Sequence, residues 1–175
     1  MNKLCFYVKD FCYLKTEDEI ELSFIPALMK RKLSKIDKFA LSSINRVYTK
    51  NIEEIVFASK SGEVERLDKI IQQYQELDEV SPSQFSGSVH NYPVGFFCLL
   101  NKINIPYYAL SSGNETFQSG LVKSVLSDKN NVLFTYADDF AFSAYISKTE
   151  GKVKLELEKV PNFDEFIKIL GETFL

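Results

Sequence analysis

The sequence predicts an α/β fold in which a mixed, mostly parallel five-stranded sheet carries helices on both faces. Short apolar segments rich in β-formers alternate with longer segments whose apolar residues recur every three to four positions, the period of an amphipathic helix. The inferred order, β-α-β-α-α-β-α-β-β-α, places helices between successive strands, and such crossovers join parallel strands. The 175 residues contain no repeat or linker, which predicts a single domain spanning residues 1–175.

The first 103 residues contain two predicted strands and three predicted helices. Pro26 permits a helix start, and apolar residues then recur with helical spacing up to Tyr48. Pro93 and Gly95 are poor in helix interiors, so the third helix is expected to begin near Pro93 or to be distorted there. The elements are a strand at Lys3–Val8, an exposed loop at Asp10–Ser23, a helix at Leu28–Tyr48, a strand at Glu54–Ser59, a helix at Glu63–Leu77 and a helix within Val89–Ile103.

The remaining residues contain three predicted strands, two predicted helices and one segment that is open to two interpretations. Lys152–Glu158 alternates strictly between polar and apolar residues, which predicts a half-buried antiparallel strand at an edge of the sheet. Phe140–Ile146 is either a loop or a short strand. The other elements are strands at Tyr107–Leu110 and Asn131–Ala137, and helices at Glu115–Leu126 and Asn162–Leu170.

Composition and charge narrow the functional classes. Apolar residues make up 45% and charged residues 26%, as in ordinary globular domains. The net charge of −3 argues against nucleic-acid binding, which needs a basic surface. No apolar segment is long enough to span a membrane, and the amino terminus lacks a signal-peptide pattern, so a cytoplasmic location is expected.

Neither a metal nor a cofactor is expected from the sequence. The three cysteines, Cys5, Cys12 and Cys98, are odd in number and match no metal-ligand spacing. They are interpreted as free thiols in a reducing compartment. Ala58–Glu65 joins a strand end to a helix but lacks the repeated glycines of a phosphate-binding loop.

Ile105–Gly120 has the pattern of a strand, a tight turn of small residues and a helix. In many α/β enzymes such a turn lifts a nucleophile clear of the backbone, but here the residue at the turn is Asn114. Ser112 is a candidate nucleophile if His90, the one histidine of the chain, acts as its base. In the alternative interpretation Ser112 fits a tight turn, Asn114 caps the helix and His90 makes structural hydrogen bonds.

Three blocks of the sequence together resemble the β-ketoacyl-synthase-like N-terminal domain family, a divergent branch of the ketosynthases. The similarity covers roughly Ile25 to Ala137, and the blocks are specific in combination. They are IPALMKRKLSKIDKFAL at Ile25–Leu41, VFASKSGEVERL at Val56–Leu67, and SPSQFSGSVHNYPVG with ALSSGNETF at Ser81–Gly95 and Ala109–Phe117.

The resemblance implies half of a thiolase-like fold and a degenerate active site. In a full ketosynthase the strand–turn–helix carries the cysteine that takes the acyl chain, and two histidines in the second half assist condensation. Matching ALSSGNETF to that turn places Asn114 at the cysteine position, and the histidine-bearing half lies outside this sequence. An asparagine cannot form a thioester, so condensation by this chain alone is not expected. In chain-length factors a non-nucleophilic residue likewise replaces the cysteine, and the subunit shapes the tunnel of its partner.

The resemblance further implies a non-catalytic partner subunit of a ketosynthase in type II polyketide, aryl-polyene or fatty-acid-like biosynthesis. The strand before the turn would then pair across a dimer axis through Pro106, Tyr107, Tyr108, Ala109 and Leu110.

Two alternative functions remain open. One is a homodimeric module that binds acyl chains or an acyl carrier protein, with Lys30, Arg31 and Lys35 meeting the acidic carrier. These cations also fit an ordinary solvated helix face. The other is an acyl hydrolase or transferase that uses Ser112 and His90.

Overall fold

The computed structural model describes residues 3–174, and within them six strands form one mixed sheet. The strands are β1 (Leu4–Leu14), β2 (Glu54–Ala58), β3 (Tyr107–Leu110), β4 (Asn131–Ala137), β5 (Ala141–Ser147) and β6 (Val153–Leu157). Their order across the sheet is β3-β2-β4-β5-β1-β6. The α-helices are α1 (Ala27–Lys30), α2 (Lys35–Val47), α3 (Val64–Leu77), α4 (Pro82–Gly87), α5 (Tyr92–Asn101), α6 (Thr116–Val125) and α7 (Phe163–Phe174).

The sheet is less parallel than the sequence predicts. β2 lies parallel to both of its neighbours, β3 and β4, whereas β4–β5, β5–β1 and β1–β6 are antiparallel pairs. The connection from β4 to β5 is a tight hairpin closed by a hydrogen bond from the Asp138 N–H to the Phe140 carbonyl. A connection this short can join only antiparallel neighbours. The edge position predicted for the last strand is confirmed in β6.

Two strands, β5 and β1, differ from what the sequence pattern indicates. β5, which was left open as a loop or strand, is buried along its whole length, so it shows no polar alternation. β1 continues to Leu14 through a bulge between Val8 and Asp10, where the register with β5 shifts. The bulge places two consecutive charged residues, Lys9 and Asp10, inside the strand, so the loop expected at Asp10–Ser23 begins only after Leu14.

The predicted helix at Leu28–Tyr48 is divided into α1 and α2. Ser34 begins α2 with a capping box: its hydroxyl accepts from the Asp37 N–H, and the Asp37 carboxylate accepts from the Ser34 N–H. The basic residues Arg31 and Lys32 therefore lie in the connection between two helices. They do not share the face of one helix.

Helices cover both faces of the sheet, as predicted. The hydrophobic core on one face is built by α2 and α5, and the core on the other face by α6 and α7. Gly120 lets α6 pack closely against the sheet. A methyl group at this position would lie 2.5 Å from the Phe134 ring, so only glycine fits there. α3 and α4 lie at the margin, and α3 buries a single residue, Ile70. Within residues 3–174, none of the helices combines the length and apolarity needed to span a membrane.

Candidate functional site

The candidate site lies where the parallel strands β2, β3 and β4 reach their carboxyl ends. Three loops meet there: Ser59–Glu63 after β2, Ser111–Glu115 after β3, and Asp138 at the β4–β5 hairpin. The carboxyl edge of parallel strands is where α/β folds place ligands, because the loops that follow the strands converge there. Close packing of α6 at Gly120 brings the start of that helix to the same edge.

Asp138 organises the loop that follows β2. Its Oδ1 accepts from the Ser59 hydroxyl at 2.8 Å and from the Ser61 N–H at 3.0 Å, and its Oδ2 accepts from the Lys60 N–H at 3.3 Å. The Ser59 hydroxyl in turn accepts from the Gly62 N–H at 2.7 Å. Asp138 was not predicted as a site residue, although an aspartate directly after a buried strand was the signal that could have identified it.

The turn after β3 is joined to the loop after β2 by two polar contacts. The Lys60 ammonium donates to the Asn114 side-chain oxygen at 2.7 Å. The Ser111 hydroxyl donates to the Lys60 carbonyl at 3.2 Å. Asn114 is exposed within a short 3₁₀ turn, Gly113–Glu115, and its amide is held by a cation at the mouth of the site.

Asn114 does not cap α6, in contrast to the structural interpretation of the sequence. The buried hydroxyl of Thr116 closes the turn instead: it accepts from the Ser112 N–H at 2.9 Å and donates to the Gly113 carbonyl at 2.7 Å. Because the 3₁₀ turn precedes α6, Asn114 lies two residues before the helix begins. Its side chain is therefore available to Lys60.

His90 has a structural role in the loop geometry. Its Nε2 lies 3.0 Å from the Leu110 carbonyl oxygen, which can only accept, so Nε2 carries the proton. The other ring nitrogen faces Gly62, where an added methyl group would lie 2.6 Å from Nδ1. Gly62 also has a φ of +56°, which disfavours other residues. His90 thus joins the end of β3 to the start of α3.

The structure does not bring Ser112 and His90 together as a catalytic pair. Among residues 3–174 no hydrogen bond joins them, and the Ser112 N–H is directed to Thr116. The two buried cysteines, Cys12 and Cys98, offer no replacement nucleophile. Burial raises the pKa of both the Cys12 and Cys98 thiols, which disfavours the reactive thiolate.

A buried ionic cluster, Asp37, Glu63 and Arg66, lies beside the site. The Arg66 guanidinium is 2.9 Å from Asp37 Oδ2 and 3.2 Å from Glu63 Oε2, and the Ser34 hydroxyl donates to Glu63 Oε1 at 2.6 Å. Burial, followed by the charge of Asp37, raises the pKa of Glu63 to about 7. Burial also raises the pKa of Asp37, whose Oδ1 has no hydrogen-bond partner within the described residues. Two carboxyl groups thus share one guanidinium, which favours keeping a proton on Glu63.

Two surface clefts flank Ser34 and Lys35. The first, about 260 Å³, is acidic and is lined by Glu63, Glu65, Asp138 and Asp139 among others. The second, about 440 Å³, is basic and is lined by Arg31, Lys32, Lys35, Arg66 and Lys69 together with Glu65. Of the three predicted carrier-protein contacts, Arg31 and Lys35 line the basic cleft, and Lys30 does not.

β3 forms one edge of the sheet, and within the described residues it pairs only with β2. Pro106, Tyr107 and Tyr108 are exposed, whereas Ala109 and Leu110 are half-buried. The Lys123 ammonium lies 3.9 Å from the centroid of the Tyr108 ring. The outer edge of β3 is thus available for pairing with another strand.

No group of three or more histidine, cysteine, aspartate or glutamate side chains within residues 3–174 is arranged to hold a metal ion.

One comparison with known proteins shows the family of the chain. The family model described as beta-ketoacyl synthase, N-terminal domain, matches residues 9–157. No curated protein sequence matches the chain significantly.

The solved structures that are similar in fold include the following two. One is a chain in the structure of the ketosynthase ApeO in complex with its chain length factor ApeC from Xenorhabdus doucetiae, with a TM-score of 0.71 and 21% identity over 85% of this chain and 81% of that chain. The other is the ishigamide ketosynthase/chain length factor, with a TM-score of 0.57 and 11% identity over 67% of this chain. The present chain spans only 44% of that second chain. These matches confirm the predicted thiolase-like fold.

Proposed function

Because the chain belongs to the β-ketoacyl synthase N-terminal domain family, we propose that it is a non-catalytic, chain-length-factor-like partner of a ketosynthase. The pathway class would be type II polyketide, aryl-polyene or fatty-acid-like biosynthesis. The observation that carries the proposal is Asn114, a carboxamide at the turn where the family resemblance places the acyl-accepting cysteine. The likeness to chains from ketosynthase/chain length factor structures supports the same assignment.

The chemistry at the turn supports a non-catalytic role. A carboxamide nitrogen is not nucleophilic, and acyl transfer requires an activated thiol, hydroxyl, amine or carboxylate. The neighbouring Lys60 donates to the Asn114 oxygen, so its ammonium is engaged in holding the turn. His90 Nδ1, the ring nitrogen that is free to act as a base, faces Gly62, and no hydrogen bond joins His90 to Ser112 within the described residues, which weighs against a Ser112-based hydrolase.

The proposed contact with the ketosynthase is the outer edge of β3, from Pro106 to Leu110. An edge strand presents unpaired N–H and C=O groups that a strand from another subunit can satisfy. Tyr107 and Tyr108 expose 37% and 45% of their surface, and aromatic residues are enriched in the cores of protein interfaces.

The test compares three preparations: this chain, its cognate ketosynthase, and the two co-expressed. The cognate ketosynthase is defined as the β-ketoacyl synthase whose gene lies nearest to that of this chain. Each preparation receives acyl and malonyl carrier-protein substrates, and the products are measured by mass spectrometry. We expect no product from the chain alone, and a change in the amount or length of the ketosynthase product in the pair. Condensation by the chain alone, or an unchanged ketosynthase product, would contradict the proposal.

A second candidate function, a homodimeric module that binds an acyl carrier protein, is favoured by the basic cleft. Arg31, Lys32 and Lys69 have no carboxylate within 4.0 Å in the described part of the chain, so their charges are available to an acidic partner. The double change Arg31→Glu and Lys35→Glu should weaken carrier-protein binding measured by calorimetry. Lys152→Glu, an exposed cation near β6, is the matched control. Equal binding by the double variant and the control would exclude this surface.

A further inference from the structure

α3 carries an apolar stripe that the protein's own core does not cover. Four apolar residues of α3 are exposed: Val64 (49%), Leu67 (44%), Ile71 (46%) and Tyr74 (55%). Ile70 is the only buried residue of this helix. They recur at intervals of three and four residues, the spacing of a seam against which another helix packs at a shallow angle. A continuous exposed apolar patch of this kind marks an interaction surface.

The stripe lies on a helix that Arg66 fixes in place. The Arg66 guanidinium donates to the Lys32 and Gly87 carbonyls and pairs with Asp37, which joins α3 to the α1–α2 connection, to α4 and to α2. It also lies 5.3 Å from the Tyr92 ring at the start of α5. The apolar surface is therefore preorganised, which lowers the entropic cost of binding.

The stripe begins next to the carboxyl end of β3. Val64 follows Gly62 by two residues, Gly62 lies against the His90 ring, and that ring is hydrogen-bonded to Leu110, the last residue of β3. The first turn of the stripe thus lies near the carboxyl end of β3, at the candidate site.

The edge of β3 is too small to hold a subunit alone. Its four residues extend over about 13 Å, at roughly 3.3 Å per residue. A stable interface buries about 800 Å² on each partner, which is the contribution of roughly 20–30 residues. Additional apolar area near β3 is therefore required, and the α3 stripe offers exposed apolar area close to the end of that strand.

We propose that the α3 stripe is a second contact surface for the ketosynthase subunit that pairs with β3, and that it receives an apolar helix face of that subunit. This inference rests on the proposed function, because the ketosynthase is the same partner. In this complex α3 contributes binding surface, which explains why its apolar residues are exposed in the single chain.

The experiment measures the affinity of the cognate ketosynthase for four forms of this chain by calorimetry. The forms are the wild type, the stripe variant Leu67→Lys with Ile71→Lys, the edge variant Tyr108→Glu, and the control Leu126→Lys. Leu126 is 68% exposed beyond the end of α6, so the control adds a cation to an apolar surface outside the stripe. All the substituted side chains are exposed, and circular dichroism verifies that each variant folds.

We expect the stripe variant to bind about tenfold or more weakly, as for residues at the centre of an interface, and the control to bind like the wild type. A stripe variant that binds like the wild type, while Tyr108→Glu weakens binding, overturns the inference and leaves the proposed function standing. Failure of the wild type to bind overturns the proposed function and the inference together. A loss of affinity in the control equal to that in the stripe variant also overturns the inference, since any added cation would then suffice.

Discussion

Lys60 and Asn114 are 54 residues apart in the sequence, and the Lys60 ammonium donates a 2.7 Å hydrogen bond to the Asn114 side-chain oxygen. This contact joins the end of β2 to the turn before α6. It places a cation directly beside the position at which the family resemblance expects a cysteine. The turn therefore keeps an environment that would favour an anion, although its own residue is neutral.

A cysteine introduced at this turn should be reactive without restoring catalysis. In Asn114→Cys, the neighbouring Lys60 and the start of α6 stabilise the thiolate and lower the pKa of the new thiol. We expect alkylation by iodoacetamide at pH 7 to be about tenfold faster than at exposed Cys5, as for a thiol pKa lowered by about one unit. Condensation by the chain alone should remain absent.

The control for that prediction is the double variant Asn114→Cys with Lys60→Ala. Loss of the cation should slow the alkylation. A rate at position 114 equal to that at Cys5 would show that the turn does not stabilise an anion.

Gly62 should be intolerant of substitution because two constraints act on it. Gly62→Ala adds a methyl group 2.6 Å from His90 Nδ1 on a backbone with φ of +56°. We expect a loss of about 1–3 kcal/mol in the free energy of unfolding, measured by urea denaturation. Gly171→Ala is the control, because a methyl group there meets nothing within 4 Å and its helical position favours alanine. Equal stabilities of the two variants would contradict the account of this loop.

Glu63 should make stability depend on pH. Burial raises its pKa from 4.5 to about 7 in the folded chain, so between these values the folded state keeps a proton that the unfolded state has lost. The free energy of unfolding should therefore fall as pH rises from about 4.5 to 7, by up to about 1.4 kcal/mol per pH unit.

Glu63→Gln tests this pH dependence because the amide stays neutral at every pH. The difference in unfolding free energy between the wild type and this variant should change between about pH 4.5 and 7 and be constant above about pH 8. Glu65→Gln, an exposed change on the same helix, should keep the wild-type slope. A wild-type slope in Glu63→Gln would exclude Glu63 as the titrating group.

Arg66 should be the most sensitive position in the buried cluster. Arg66→Ala removes the only cation within 4.0 Å of both Asp37 and Glu63 in the described structure, and stranding a buried charge costs about 3 kcal/mol or more. The loss in unfolding free energy should be larger at pH 8 than at pH 5, because Glu63 is protonated at the lower pH. Lys69→Ala, on the exposed side of α3, should change stability by less than about 0.5 kcal/mol.

Local patterns accounted for the elements that the sequence predicted well. The strands at Tyr107–Leu110 and Asn131–Ala137 and the helix start near Pro93 depend on short-range signals, namely apolar runs and a proline at the first turn. β5 was left open because a central strand is apolar on both faces and loses its alternation. α4 was missed because its Ser-Pro-Ser and Gly residues are those of a loop.

The candidate site was predicted only in part, since its contacts join distant residues. The turn at Asn114 was located from the small residues around it. Asp138 is hydrogen-bonded to Lys60 and Ser59, which lie 78 and 79 residues before it in the sequence. Arg66 is likewise bonded to Asp37, from which it is separated by 29 residues. Such partners are chosen by the folded topology and leave no local pattern. The capping box at Ser34 and Asp37 was missed, although their three-residue spacing is a local signal for a helix start.

The proposed pairing of this chain with a ketosynthase is tested most directly by the molar mass of the two co-expressed chains, measured by light scattering after size exclusion. We expect one species that contains both chains in equal numbers, and its dissociation in the Tyr108→Glu variant. Elution of this chain free of the ketosynthase, as a monomer or as a homodimer, would rule out the proposed pairing.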